Sequence, residues 1–144
     1  MIHQIRRSAI VQRTDAQMFA LVNDVEAYPR RFTWCASAKV TDASDTMLTA
    51  QLEIRLGAFT QTFTTRNTLA APRSISMQLV DGPFKTLVGG WTFTPLGETG
   101  CKVGLELDFE YAGRIMAPIM RLGFEKLADR LVDEFCREAM RLHG

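Results

Sequence analysis

Two histidines, His3 and His143, stand at opposite ends of a 144-residue chain, where each is expected to be exposed or frayed. An imidazole base or a histidine metal cage needs ring nitrogens brought together, so this placement removes the commonest general base. Cys35, Cys101 and Cys136 are odd in number and widely separated, with no CxxC pair. They offer neither a zinc knuckle nor a redox dithiol, and they fit a reducing compartment. No GxSxG elbow, HExxH helix, GxGxxG turn or P-loop occurs. Carboxylates remain: Glu53, Glu106, Asp108 and Glu110 all fall in strand-like segments. A carboxylate-based cyclase or isomerase would need one of them facing inward with a raised pKa. Each is out of step with its apolar neighbours, which assigns it to a solvated face. The expectation is a protein that is not an enzyme.

The chemistry of binding is better represented. Phe59, Phe63, Met77, Trp91, Phe93, Phe109, Phe124 and Phe135 share the apolar phase of their segments. With Trp34, Phe84, Leu127 and Leu131 they form a candidate wall for an apolar small molecule. Alternation does not distinguish a lined cavity from a packed core, and both readings stand at this level. Gln61 and Asn67 carry amides in the same inward phase, and a buried amide requires a ligand, a water or a neighbouring strand as partner. Tyr111 offers a phenol, either to the same space or to solvent at a strand end.

These side chains need elements to position them. Residues 2–12 alternate as a first strand, with Ile5, Ala9 and Val11 on one side. Thr14 and Gln17 have the spacing of a capping box and open a short helix with Met18, Phe19, Val22 and Val25 on one face. Tyr28-Pro29 is expected to stop it, because proline disfavours helical backbone in the residue before it. From residue 34 to residue 111 the period is two. A hairpin about Gly57-Ala58 sets Leu56 opposite Phe59, Ile54 opposite Gln61 and Leu52 opposite Phe63 on an oily surface, with Arg55, Glu53 and Gln51 facing threonines on the other. Strands follow at 73–81, 86–95 and 101–111, the last two joined so that Phe93 and Val103 share a face. After Gly113 the period becomes helical. Met120, Phe124, Leu127, Leu131, Phe135 and Leu142 form one stripe of a helix of about 25 residues, roughly 38 Å long, with Pro118 in its first turn. The expected fold class is α+β: a curved antiparallel sheet wrapped around a long C-terminal helix, with a short helical segment after the first strand, in a single domain spanning 1–144.

A formal net charge of +1 gives little long-range field for nucleic acid or acidic lipid, so DNA is not expected and membrane contact is at most peripheral. No stretch reaches the roughly 20 apolar residues of a membrane span, and the N-terminus lacks the apolar run of a secretory signal. A cytoplasmic location is expected.

The segments Met18–Cys35 (MFALVNDVEAYPRRFTWC), Asp81–Pro95 (DGPFKTLVGGWTFTP) and Val103–Tyr111 (VGLELDFEY) resemble the coenzyme Q-binding and RatA-toxin branch of the START-like, polyketide cyclase-related superfamily. The likeness runs along nearly the whole chain. It implies a helix-grip fold, START/Bet v 1-like, with a hydrophobic tunnel. In one set of relatives that tunnel implies non-enzymatic binding of a polyisoprenoid quinone or another lipid, in support of ubiquinone function in respiration, with no cofactor required. In the other it implies binding to the large ribosomal subunit and a block on its pairing with the small one. Arg31-Phe32-Thr33-Trp34 departs from the apolar-proline pair common before this tryptophan, which would free the loop.

The second implication has a feature of its own. Lys126, Arg130, Arg137 and Arg141 lie within about 60° of one another on the last helix, away from its apolar stripe, as candidate contacts for rRNA phosphates. Asp133 sits in that stripe and is expected to pair with Arg137. A solvated, self-neutralised face explains the same pattern.

Overall fold

The computed structural model describes residues 1–143. Seven strands, β1 (His3–Val11), β2 (Cys35–Ala43), β3 (Met47–Leu56), β4 (Phe59–Ala70), β5 (Ser74–Asp81), β6 (Phe84–Leu96) and β7 (Gly100–Tyr111), form one antiparallel sheet in the order β1-β7-β6-β5-β4-β3-β2. Between β1 and β2 lie α1 (Asp15–Asn23), a 3-10 turn at Val25–Ala27 and α2 (Tyr28–Arg31). The sheet wraps α3 (Pro118–His143) in a helix-grip fold. β2 through β7 are a meander in which each strand pairs with the next. β1 pairs with β7, so the two edge strands are consecutive in sequence, and the short helical segment bridges from one edge to the other.

The hairpin register agrees with the expectation pair by pair: Leu56 faces Phe59, Ile54 faces Gln61 and Leu52 faces Phe63. Phe93 faces Val103 as expected. Thr14 caps α1 reciprocally with Gln17, at 3.1 Å from the Gln17 amide and 2.9 Å from its side-chain oxygen.

Two expectations about helix ends are corrected. Tyr28-Pro29 does not stop a helix: α1 has already ended at Asn23, and Tyr28, in helical backbone, opens α2. Proline is tolerated in that first turn because its missing N–H would have no partner there. Leu142 is exposed; the buried stripe of α3 runs through Phe124, Leu127, Ala128, Val132, Phe135 and Ala139 instead.

Neighbouring backbones come very close to Gly89-Gly90 in β6. A Cβ on Gly89 would lie 1.9 Å from the Glu106 carbonyl oxygen of β7, and one on Gly90 would lie 2.4 Å from the Ile75 carbonyl oxygen of β5. Only glycine allows backbones this close on both sides. The far end of α3 is fixed by Arg13, whose guanidinium donates to the carbonyls of Ala139 at 3.2 Å and Met140 at 3.4 Å. A cation there meets the free carbonyls and the negative end of the helix dipole.

Candidate functional site

Between the concave side of the sheet and α3 lies a cavity of about 110 Å³. Its wall draws on each layer: Ala50, Leu52, Ile54, Phe63, Thr65, Asn67 and Met77 from β3, β4 and β5, Leu87, Trp91 and Leu107 from β6 and β7, Phe124, Leu127, Ala128, Leu131 and Phe135 from α3, and Val25, Tyr28 and Trp34 from the segment before β2. No side chain in the wall is charged.

Of the residues expected to bind a ligand, Trp34, Phe63, Met77, Trp91, Phe124, Leu127 and Leu131 line this space, and Phe135 joins them. The others do not. Phe59, at the hairpin tip, is 50% exposed. Gln61 lies close to that tip, half-buried and off the wall. Phe93 is fully enclosed, with Phe19 set edge-on to its ring at 6.0 Å. Phe84, Phe109 and Tyr111 form an aromatic cluster with Phe63 and Phe124 at the start of α3, where rings rather than empty space fill the grip. Strand phase tells which face a residue is on; it does not tell how far along the groove the packing closes.

Tyr111 turns its phenol away from the cavity, donating to Glu125 Oε2 at 2.7 Å, with the Arg121 guanidinium 4.5 Å above its ring. Burial, and then the bond to the Glu125 carboxylate, push its pKa far up. His3, expected to be frayed, is half-buried: its ring stacks on Phe109 at 5.3 Å, and Nδ1 lies 3.9 Å from Glu125. The expectation for the His143 side chain falls outside the described residues.

Phe32 and Trp34, on the loop that the missing proline was expected to free, are both buried. The two rings stack at 4.9 Å, and Phe32 also meets Phe135 of α3 at 4.7 Å. Tyr28 joins this cluster, donates its hydroxyl to the Val22 carbonyl and, through burial above all, has its pKa pushed far up. Burial raises the thiols of Cys35 and Cys136 to about 11 and raises Cys101 as well, so all three are protonated near neutrality.

Two polar atoms in the wall have no protein partner: Asn67 Oδ1 and Trp34 Nε1, both on side chains 8% exposed. A buried orphan costs about 1–3 kcal/mol. Asn67 was legible from its phase; the Trp34 donor was not, because its burial comes from stacking in a loop.

Glu53, Glu106, Asp108 and Glu110 lie off the cavity wall, as their phase requires. Arg6 contacts Glu106 at 3.7 Å and Asp108 at 2.8 Å. One buried carboxylate was not foreseen. Glu138 of α3, 7% exposed, accepts from Arg141 at 2.6 Å and from Arg31 at 3.5 Å, and these bonds, first that of Arg141, hold its pKa below the usual range.

On the outer face of α3, Lys126, Arg130, Arg137 and Arg141 are all exposed. The expected Asp133–Arg137 pair is absent; Arg137 reaches Glu134 at 2.8 Å instead, while Arg141 holds Glu138. Among the described residues Lys126 and Arg130 form no ion pair. Those residues also contain no cluster of acidic, histidine or cysteine groups that could hold a metal, and no helix long and apolar enough to cross a membrane.

Known proteins share both the geometry and the sequence. The Zhui aromatase/cyclase from Streptomyces superposes with a TM-score of 0.85 at 16% identity, covering 98% of this chain and 95% of its own, a likeness of fold alone. Proteins named ribosome association toxin RatA are 42% identical in Vibrio cholerae, over 98% of each chain, and 41% identical in Pseudomonas aeruginosa, over 97% of each. A coenzyme Q-binding protein COQ10 homolog B from Xenopus laevis is 23% identical, over 89% of this chain and 54% of its own length. Residues 11–136 match the model for polyketide cyclase/dehydrase and lipid transport proteins, and the chain belongs to that START-like family.

Proposed function

We propose that this protein is a ribosome-association factor: it binds the large ribosomal subunit in the cytoplasm and hinders pairing with the small one, acting by docking and not by catalysis. The observation that carries the reading is the near-full-length identity of 41 to 42% to proteins named ribosome association toxin RatA. The outer face of α3 supports it, since Lys126 and Arg130 stand one turn apart with charge available for phosphates. Arg137 and Arg141 are already partnered by Glu134 and Glu138, so they contribute less. Separated ribosomal subunits mixed at pairing magnesium concentrations provide the test. Added protein should leave them separate in proportion to its concentration. Unchanged subunit pairing at saturating protein contradicts the proposal.

The cavity favours a second, compatible reading, in which the fold holds a small apolar molecule. Sites for drug-sized ligands run to about 300–1,000 Å³, and the space here is about 110 Å³. A polyisoprenoid quinone is larger than that space. Carriage of ubiquinone in support of respiration thus has thinner support, resting on the distant COQ10 likeness. A compact guest fits the observed space better.

A further inference from the structure

We infer that the exposed apolar end of α3, with the tip of the β3–β4 hairpin beside it, is a second part of the docking face. It seats in an apolar groove on a protein of the large ribosomal subunit, while Lys126 and Arg130 meet RNA phosphates. The inference deepens the ribosome-association reading and rests on it.

Three observations carry it. First, Phe59, Ile119 and Leu122 are each at least half exposed, and so is Ile115 in the bend that leads into α3. A Cβ on Gly123 would lie 3.5 Å from Leu56 Cβ, so the turn of α3 that carries Ile119 and Leu122 abuts the hairpin end, where Leu56 faces Phe59. Ala58, Ala117 and Pro118, beside them in sequence, are exposed too. Several apolar side chains open to water at one place mark an interaction site. Second, this end shares a stripe with the cations. At 100° per residue Ile119, Leu122, Lys126 and Arg130 fall within about 80° of one another. A partner that meets the two cations therefore faces the two aliphatic side chains as well. Third, the two kinds of group are separated along that stripe. Lys126 and Arg130 follow Ile119 by about 10 and 16 Å at 1.5 Å per residue. A helix that lies in a lipid surface divides apolar from basic across its girth, not along one face. The formal net charge of +1 also gives an acidic membrane little long-range pull. Aliphatic side chains pressed on phosphates would strip hydration from the charges and return no hydrogen bond. A surface that changes from protein to RNA over this distance satisfies both halves, and a ribosomal subunit is built of the two.

The test measures binding of the full-length protein to purified large subunits across a salt series. Ile119→Ser with Leu122→Ser should weaken binding at least about tenfold at every salt concentration, as loss of apolar anchors does. The slope against salt should stay that of the parent. Lys126→Glu with Arg130→Glu should instead make the slope shallower, because fewer counterions are released. Phe59→Ser, on a separate element, should repeat the first result if the helix pair disturbs α3. Parent and apolar variants should bind protein-free RNA extracted from the same subunits equally. Equal binding of parent and both apolar variants to subunits overturns the inference and leaves the ribosome reading standing. Apolar variants that lose extracted RNA as they lose subunits also overturn it, since the patch would then touch RNA. So does parent flotation with phosphatidylglycerol/phosphatidylethanolamine vesicles, or a parent dimer, that the same variants abolish. Parent protein that fails to bind subunits overturns this inference and the ribosome reading together.

Discussion

Arg31 of α2 and Glu138 of α3 meet at 3.5 Å, linking the helical bridge between the sheet edges to the helix that the sheet grips. Arg31 also reaches Asp24 at 3.6 Å, and Glu138 also takes Arg141 of its own helix, so the buried carboxylate joins α2 to α3 and Arg31 extends the link to Asp24. Replacing Arg31 by Met should therefore cost about 1.5–3 kcal/mol, the range for hydrogen bonds to charged groups. Urea denaturation checks this, with an unchanged slope confirming that the compactness of the end states is unaltered.

The same carboxylate predicts a pH dependence. Glu138 has a folded pKa below its ordinary value, chiefly through Arg141 and then Arg31. The unfolded chain binds that proton more readily, so the contribution is complete above the ordinary carboxylate range and is lost as pH falls through the folded pKa. Glu138→Gln should flatten the acid limb of the stability profile while lowering stability at neutrality. An acid limb identical to the parent's would show that other groups govern it.

Phe135 lines the cavity and packs edge-on against Tyr28 at 5.4 Å and Trp91 at 5.1 Å. Truncation to Ala removes the hub of these contacts and enlarges the cavity, for an expected loss of about 3–5 kcal/mol. Leu142→Ala, on an exposed position of the same helix, should change stability by less than about 0.5 kcal/mol. Equal effects in thermal unfolding would contradict the placement of the stripe.

Gly89→Ala tests the close approach of β6 to β7. Its new Cβ would meet backbone on β7 at 1.9 Å, and backbone cannot move aside as a side-chain tip can. A destabilisation of at least about 2 kcal/mol is expected. A stable variant would mean that the tight approach in β6 is not required for the grip.

Legibility followed the range of the interaction. The Gly57 hairpin was readable pair by pair, since turn geometry and a period of two determine register locally. The Thr14 box was readable for the same reason, its partners being three residues apart. Asn67 was readable as an inward amide. The depth of Phe93, Phe109 and Phe84 was not, because whether an inward ring meets space or another ring depends on where α3 crosses the sheet. Phe59 had the correct phase but lies beyond the end of the grip. Glu138 was invisible because Arg31, more than a hundred residues away, buries and pairs it. The i,i+4 rule pointed Arg137 at Asp133, and the helix used the i,i+3 neighbour Glu134 instead.

The central claim is docking of this fold on the large ribosomal subunit, and co-sedimentation through sucrose at graded salt tests it most directly. The parent protein should travel with isolated large subunits and be released as salt rises. Lys126→Glu with Arg130→Glu should release it at lower salt than Arg137→Glu with Arg141→Glu does. Parent protein that stays at the top of the gradient even at low salt would contradict the account.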